Sequence, residues 1–284
     1  MKRYLEISVS ATEEQREFLL PTMIELGCSG FQETETELLC YIDSDRLPDE
    51  QLISFQNKIR KVLQAISANA EIKFRTFDDE NWNERWERSL QPVEVGKRIV
   101  ITPSWTSYDN REQRIVLQID PKMSFGTGYH ETTRLTLQLL EKYIRTGMNV
   151  LDVGTGTGVL AIAAVKLGAS HAIGTDIDEW SILNANENVA ANKLNDSVEI
   201  STRSLSDFES ASCDLITANL TLNTNIEMLP QFHRILRGNG SLLLSGLLNH
   251  DDVAMKLHLK QENFTVIDTI NENEWIAIAA KRVR

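Results

Sequence analysis

The sequence is poor in cysteine. Its 284 residues hold three, Cys28, Cys40 and Cys213, far apart and odd in number. They form neither a disulfide framework nor a metal-ligand spacing, and they fit small buried hydrophobes of a protein in the reducing cytosol. No apolar run approaches the roughly 18 residues that a bilayer-spanning helix needs. The start, Met1–Glu6 leading into Ile7-Ser8-Val9-Ser10, lacks the long apolar core of a secretory leader. Positive charge is scarce, with 29 Lys and Arg against 41 Asp and Glu, a formal net charge of −12. That excludes a general nucleic-acid or anionic-membrane binder, whose affinity would rest on cations, and it suits a basic partner. The excess acid sits at the front, where residues 1–90 carry 18 acidic and 11 basic side chains. None of the histidines (His130, His171, His233, His250, His258) stands at an HExxH or other ligand spacing, so no catalytic metal is expected.

What is present is a two-part chain. Residues 1–77 read as strand, helix, strand, strand, helix, strand, with the first helix opening after Thr12 and ending near Gly27. That order predicts a small ferredoxin-like α+β domain. Residues 78–96 carry Trp82 and Trp86 one helical turn apart, which predicts a linker helix that packs onto a domain or grips a partner. Arg98–Pro103 and Arg114–Ile119 read as two strands of a hairpin around Tyr108–Arg111. From about residue 130 strands alternate with helices of 10–14 residues, which predicts βαβ units and a mostly parallel sheet in an α/β domain over 97–284. The last two strands, Phe264–Asn271 and Trp275–Lys281, are too close for a crossover helix, so the sheet should close with one antiparallel strand.

The strongest chemical signal is Leu151-Asp152-Val153-Gly154-Thr155-Gly156-Thr157-Gly158, an apolar strand running into three glycines at spacing two before a helix. A dinucleotide loop places its third glycine one residue later, where this chain has Val159, and a phosphate-gripping loop wants a Lys that is absent. Asp152, just before the loop, would repel a pyrophosphate but suit a cationic or hydroxyl-rich ligand. Asp176, at the end of the next strand, can accept both hydrogen bonds of a ribose diol. A nucleoside ligand without a phosphate bridge follows, and S-adenosylmethionine meets that description. Asp178 reads as the cap of the next helix, and Trp180 either leans on the adenine or packs the sheet edge.

Two more segments belong to the same cleft. Asp214–Leu220 is a strand ending in Asn219, whose amide could hold a substrate amine or the methionyl end of the cofactor. The Pro-Pro-aromatic run of base-amine methyltransferases does not follow it; Leu220-Thr221-Leu222 does. The other segment, Asp120–Thr133, is dense in glycine, hydroxyls and aromatics and can close over a ligand. Within it Thr132 or Thr133 reads as a helix cap or a ligand contact, Phe125 as a core plug or a lid, and His130 as a base near the amine or a structural ring.

The run Phe125-Gly126-Thr127-Gly128-Tyr129-His130-Glu131-Thr132-Thr133 resembles the FGTGxHxTT signature of bacterial ribosomal-protein methyltransferases of the PrmA type, which act on large-subunit protein eleven. Leu151–Ala164, Gly174-Thr175-Asp176-Ile177-Asp178 and Ser245-Gly246-Leu247 match it too. The resemblance implies a small substrate-recognition domain, a linker helix and a Rossmann-like methyltransferase domain. It implies S-adenosylmethionine contacts at Thr133, Gly154, Asp176 and Asn219, to which the glycine loop and the acid after the next strand add Asp152, Gly156, Gly158 and Ile177. Asn219 and His130 would serve the chemistry, and Phe125, Thr127 and Leu220 would line a substrate channel. The implied protein is a cytoplasmic monomer that methylates lysine side chains and the N-terminal amine of a basic ribosomal protein. Rivals are a methyltransferase of the same fold for another protein or a small amine, and a noncatalytic ribosome-associated binder. The family usually reads Asn-Ile-Leu-Ala where this chain has Asn219-Leu220-Thr221-Leu222.

Overall fold

A computed structural model describes residues 3–34, 36–43, 53–57, 59–61, 71–78, 90–122 and 124–283. The chain divides into two compact units, Met1–Arg85 and Trp86–Arg284. The linker helix expected over 78–96 falls largely on residues 79–89, outside the described residues, as do Trp82 and Trp86. Its far end, Val93–Val95, is a strand.

The first unit holds β1 (Arg3–Ser10), α1 (Glu13–Glu25), β2 (Gly30–Glu33), β3 (Glu37–Asp43) and β4 (Ile72–Asp78). Residues 53–57 and 59–61 are helical. The strands form an antiparallel sheet in the order β2-β3-β1-β4, the ferredoxin-like arrangement. Leu5, Ile7 and Val9 alternate along β1 and bury one face against Leu19 and Met23 of α1 and against Ile59. Thr12 and Gln15 close a capping box at the start of α1, which satisfies two backbone N–H groups that the first turn leaves free.

The second unit opens with a three-stranded sheet, β5 (Val93–Val95), β6 (Ile99–Thr102) and β7 (Ile115–Gln118). The hairpin expected here does not form: β6 and β7 are parallel, with Ile99 opposite Ile115. The connection is long enough to return the chain to the starting edge. It is pinned there by Asn110, which exchanges two hydrogen bonds with the Arg114 backbone (2.7 and 2.8 Å).

Then come α2 (Glu131–Tyr143), β8 (Asn149–Val153), α3 (Val159–Lys166), β9 (His171–Thr175), α4 (Glu179–Ala191), β10 (Val198–Ser201), β11 (Cys213–Asn219), α5 (Leu222–Ile235), β12 (Leu236–Leu248), α6 (Asp252–Gln261), β13 (Phe264–Glu272) and β14 (Trp275–Arg282). They build a seven-stranded sheet in the order β10-β9-β8-β11-β12-β14-β13. The antiparallel strand is the chain's last, β14, and it lies one place in from the edge, between β12 and β13. Separate apolar clusters cover the sheet. One includes Val150 and most of α3; the other includes Leu151, Val153 and Phe232 of α5. A helix as apolar as α3 must be buried all round, and six of its eight residues are. Among the described residues no helix is long and apolar enough to cross a membrane.

Candidate active site

Strands β8 and β11 are neighbours and leave the sheet at one level, with Val153 opposite Ala218. The glycine loop from Gly154 and the amide of Asn219 therefore emerge side by side. Chain progression reverses here: β8 leads to β9 on one side, and β11 to β12 on the other. Open α/β sheets bind ligands at such a switch point. A cavity of about 560 Å³ opens at this place, within the range of small-molecule sites.

The glycine loop is tied to its surroundings through backbone groups. The N–H groups of Gly154 and Thr155 both donate to the Thr175 carbonyl (2.8 and 2.9 Å), and that of Gly156 donates to Asp176 Oδ2 (2.9 Å). Thr157 donates from its N–H to the Phe125 carbonyl (2.9 Å) and from its hydroxyl to the Gly126 carbonyl (2.8 Å). The Phe125 loop thus rides on the glycine loop. Gly156 has φ 53°, and a Cβ there would collide with the Phe125 carbonyl, so only glycine fits. Gly158 (φ 82°) is the cap residue of α3, where a Cβ would press on Ala185 of α4 at 3.2 Å. Arg134 holds the far side of the Phe125 loop, donating to the Gly128 and Tyr129 carbonyls while paired with Glu272.

A ladder of buried amides supports the loop from behind. Asn184, Asn188 and Asn192 stand four residues apart on α4 and grip the backbone of 118–121. Asn188 also donates to the Thr157 carbonyl (2.9 Å).

Among the sequence-predicted residues, Phe125, Gly154, Gly156 and Asp176 line the cavity together. So do Ile177, fully exposed to it and to solvent, and Asn219 and Leu220. Asp176 presents its carboxylate there while accepting from the N–H groups of Gly156 and Asp178 (2.9 and 3.1 Å). Asn219 donates from Nδ2 to Thr132 Oγ1 (3.2 Å), and its Oδ1 is buried without a partner among the described residues. Thr133, on the first turn of α2, also has a buried hydroxyl with no partner.

Four predicted residues take other places. Asp152 lies beneath the loop, wholly buried, on the sheet face it shares with Val150. It accepts hydroxyl hydrogen bonds from Thr155 (2.6 Å) and Thr217 (2.7 Å). Burial pushes its pKa up to about 6 against those donors, and Asp176 adds to the rise. It braces the loop from beneath. Gly158 serves helix packing, as described above, and Thr127, on the Phe125 loop, is not among the residues that line the cavity. His130 is the N-cap of α2: its Nδ1 accepts from the Thr132 N–H (3.3 Å) and faces the Thr132 hydroxyl at 2.9 Å. Accepting there engages the Nδ1 lone pair in the cap. The ring is held between Phe125 (centroids 5.3 Å apart) and Trp275 (4.8 Å). The cap expected at Thr132 or Thr133 is therefore His130. Asp178 does cap α4, through the Ser181 N–H (2.9 Å), and Trp180 is 76% exposed, so it does not pack the sheet edge.

Sequence reasoning passed over two walls of the cavity: Thr202–Leu205 after β10, and Thr224, Met228 and Gln231 on one face of α5. The signal for the first was topological, because parallel strands all end on one rim. Arg234 of α5 fixes that wall, donating to the Leu205 and Phe208 carbonyls (2.7 and 2.5 Å).

The arrangement can hold a hydroxyl-bearing nucleoside against Asp176 and an amine against Asn219. Comparison with known proteins points the same way. The family described as ribosomal protein L11 methyltransferase (PrmA) matches residues 3–283. Proteins named ribosomal protein L11 methyltransferase from Caldanaerobacter subterraneus subsp. tengcongensis and Chlorobaculum parvum are 32% and 35% identical. The matches cover 99% of this chain and 99% of the first protein, and 96% of this chain and 95% of the second. A solved structure of a ribosomal protein L11 methylase from Lactobacillus delbrueckii subsp. bulgaricus superposes with a TM-score of 0.63 at 29% identity, covering 69% of this chain and all of that one.

Proposed function

This chain belongs to the PrmA family of ribosomal protein L11 methyltransferases, and from that premise we propose that it methylates amino groups of ribosomal protein L11, on lysine side chains and at the N-terminus. It is an S-adenosylmethionine-dependent protein methyltransferase. When bound, that cofactor supplies a methyl group on a sulfonium, already activated for displacement.

The residues fit such a ligand. Thr133 Oγ1 on α2 is a buried polar atom in want of a partner, which the cofactor's amino-acid end supplies, and Asn219 Oδ1 on β11 is left for the target amine. On this reading Asp176 accepts from the ribose hydroxyls, Gly154 and Gly156 let the backbone come close, and Ile177 offers the base an apolar face. Phe125 covers the site and, with Leu220, borders the channel for the target side chain.

The protein's tasks are alignment and exclusion of water. A lysine ammonium, ordinarily near a pKa of about 10.4, loses its proton to water more readily as its head is buried. Asn219 Oδ1 then accepts one N–H of the neutral amine and orients its lone pair. His130 positions the covering loop as a cap and a ring contact. The acidic first unit recognises the basic ribosomal protein, and the enzyme works as a cytoplasmic monomer.

The observation that carries this reading is Asn219 Oδ1, buried and unpartnered on the cavity wall, with its amide nitrogen already committed to Thr132. The test is incubation with methyl-labelled cofactor and purified large-subunit proteins, followed by mass spectrometry. Label should appear on L11 amines, and Asp176→Ala should weaken S-adenosylhomocysteine binding about 100-fold by removing two charge-assisted hydrogen bonds. Label on another protein, or on amide nitrogens, would overturn the reading.

A further inference from the structure

Arg203 stands on the cavity wall just past the end of β10. Its guanidinium is fixed in place. Nη2 pairs with Glu199 Oε1 at 2.5 Å, Nε donates to Ser201 Oγ at 3.3 Å, and Cζ lies over the Phe208 ring, 4.9 Å from its centroid. Phe208 is itself buried, and Arg234 holds its carbonyl. Every anchor of Arg203 is thus part of β10 or the segment after it. Among the described residues Nη1 has no partner.

A long cationic side chain normally loses rotamer entropy when it binds. Here that cost is met in the free protein, because the planar fork is already held at three points. The Glu199 carboxylate offsets its charge, so the wall does not repel a cationic sulfonium ligand. The wall from Thr202 to Leu205 carries no carboxylate that could accept from the amino group of a purine. What it offers instead is a rigid N–H donor, which suits N1, N3 and N7 of an adenine joined to ribose through N9, all three acceptors. The flat guanidinium also matches the face of a base.

We propose that Arg203 is the residue that reads the adenine of the cofactor, donating from Nη1 to one of its ring nitrogens. The proposal rests on the methyltransferase reading of this cavity.

The experiment is calorimetric titration of the full chain and of its R203A and R203Q variants with S-adenosylhomocysteine and its 1-deaza, 3-deaza and 7-deaza analogues. R203A should bind S-adenosylhomocysteine about 10- to 100-fold more weakly, the range for a hydrogen bond from a charged donor. One deaza analogue should show a similar loss with the parent protein and no further loss with R203A. R203Q, which keeps a donor without the fork, should fall between. Binding of S-adenosylhomocysteine by R203A within twofold of the parent, or an equal loss for all four ligands, would overturn the proposal and leave the methyltransferase reading intact. A parent protein that binds none of the four overturns both.

Discussion

At the scale of single residues, Asp152 shows how one buried carboxylate can brace a loop from beneath. It sits beneath the glycine loop and joins Thr155 to Thr217 on β11. Its folded pKa of about 6 lies above the unfolded value near 3.9, so the folded state holds a proton that the unfolded chain has released. Its stabilising contribution is complete below about pH 4 and is lost as pH rises through 6. Two pKa units correspond to about 3 kcal/mol. Asp152→Asn has no such titration, so its stability relative to the parent should rise by up to about that amount between pH 4 and 7. Denaturant unfolding at a series of pH values checks this, and parallel curves for the two proteins would contradict it. Asp152 was visible in the sequence as an acid beside the loop. Its direction was not, because the side to which a strand residue points is set by register against the neighbouring helix. His130 carries the same lesson. The motif displays a histidine next to threonines, and only the capping geometry shows that its Nδ1 lone pair is spent on the Thr132 backbone.

At the scale of elements, the site is a set of backbone segments clamped together. The Phe125 loop is bonded to the glycine loop, and the glycine loop is bonded to β9. The asparagine ladder on α4 joins the segment after β7 to Thr157. Asn188→Ala would leave the half-buried Asp120 N–H and the buried Thr157 carbonyl without these partners. At about 1–3 kcal/mol for each orphaned group, a loss of about 3 kcal/mol in unfolding free energy is expected, together with weaker cofactor binding. Asn186→Ala, on the exposed face of the same helix, should change stability by less than about 0.5 kcal/mol. Equal effects of the two substitutions in chemical denaturation would count against the ladder. The spacing of these asparagines was open to inspection in the sequence. Their burial was not, because α4 has no clear apolar stripe to orient it. The parallel pairing of β6 and β7 was hidden for a related reason: both strand segments were legible, but strand direction is set by where the intervening loop packs.

At the scale of the whole molecule, charge is the property that matters most for encounter. The net charge of −12 is weighted toward residues 1–90, and the proposed client is basic. Attraction of this kind is screened within about 8 Å at physiological salt. Raising salt from about 50 to 300 mM should therefore raise the KM for L11 several-fold. The affinity for S-adenosylhomocysteine should change by less than twofold, since that ligand is held at short range. Steady-state kinetics and calorimetry across the salt series separate the two. A KM indifferent to salt would argue against recognition by the acidic unit.

The sequence by itself determined the two-part order of elements, the parallel sheet, the phosphate-free ligand loop and the acid at Asp176. These follow from local periodicity, glycine spacing and strand ends, all of which are short-range properties of the chain. Only the tertiary structure decided that Asp152 is wholly buried beneath the glycine loop and that His130 caps α2. The same holds for the place of β14 inside the sheet and for the part of the cavity wall carried by Arg203. Each of those facts depends on which distant segment packs against a residue, and one chain's pattern of side chains does not encode that in any local window.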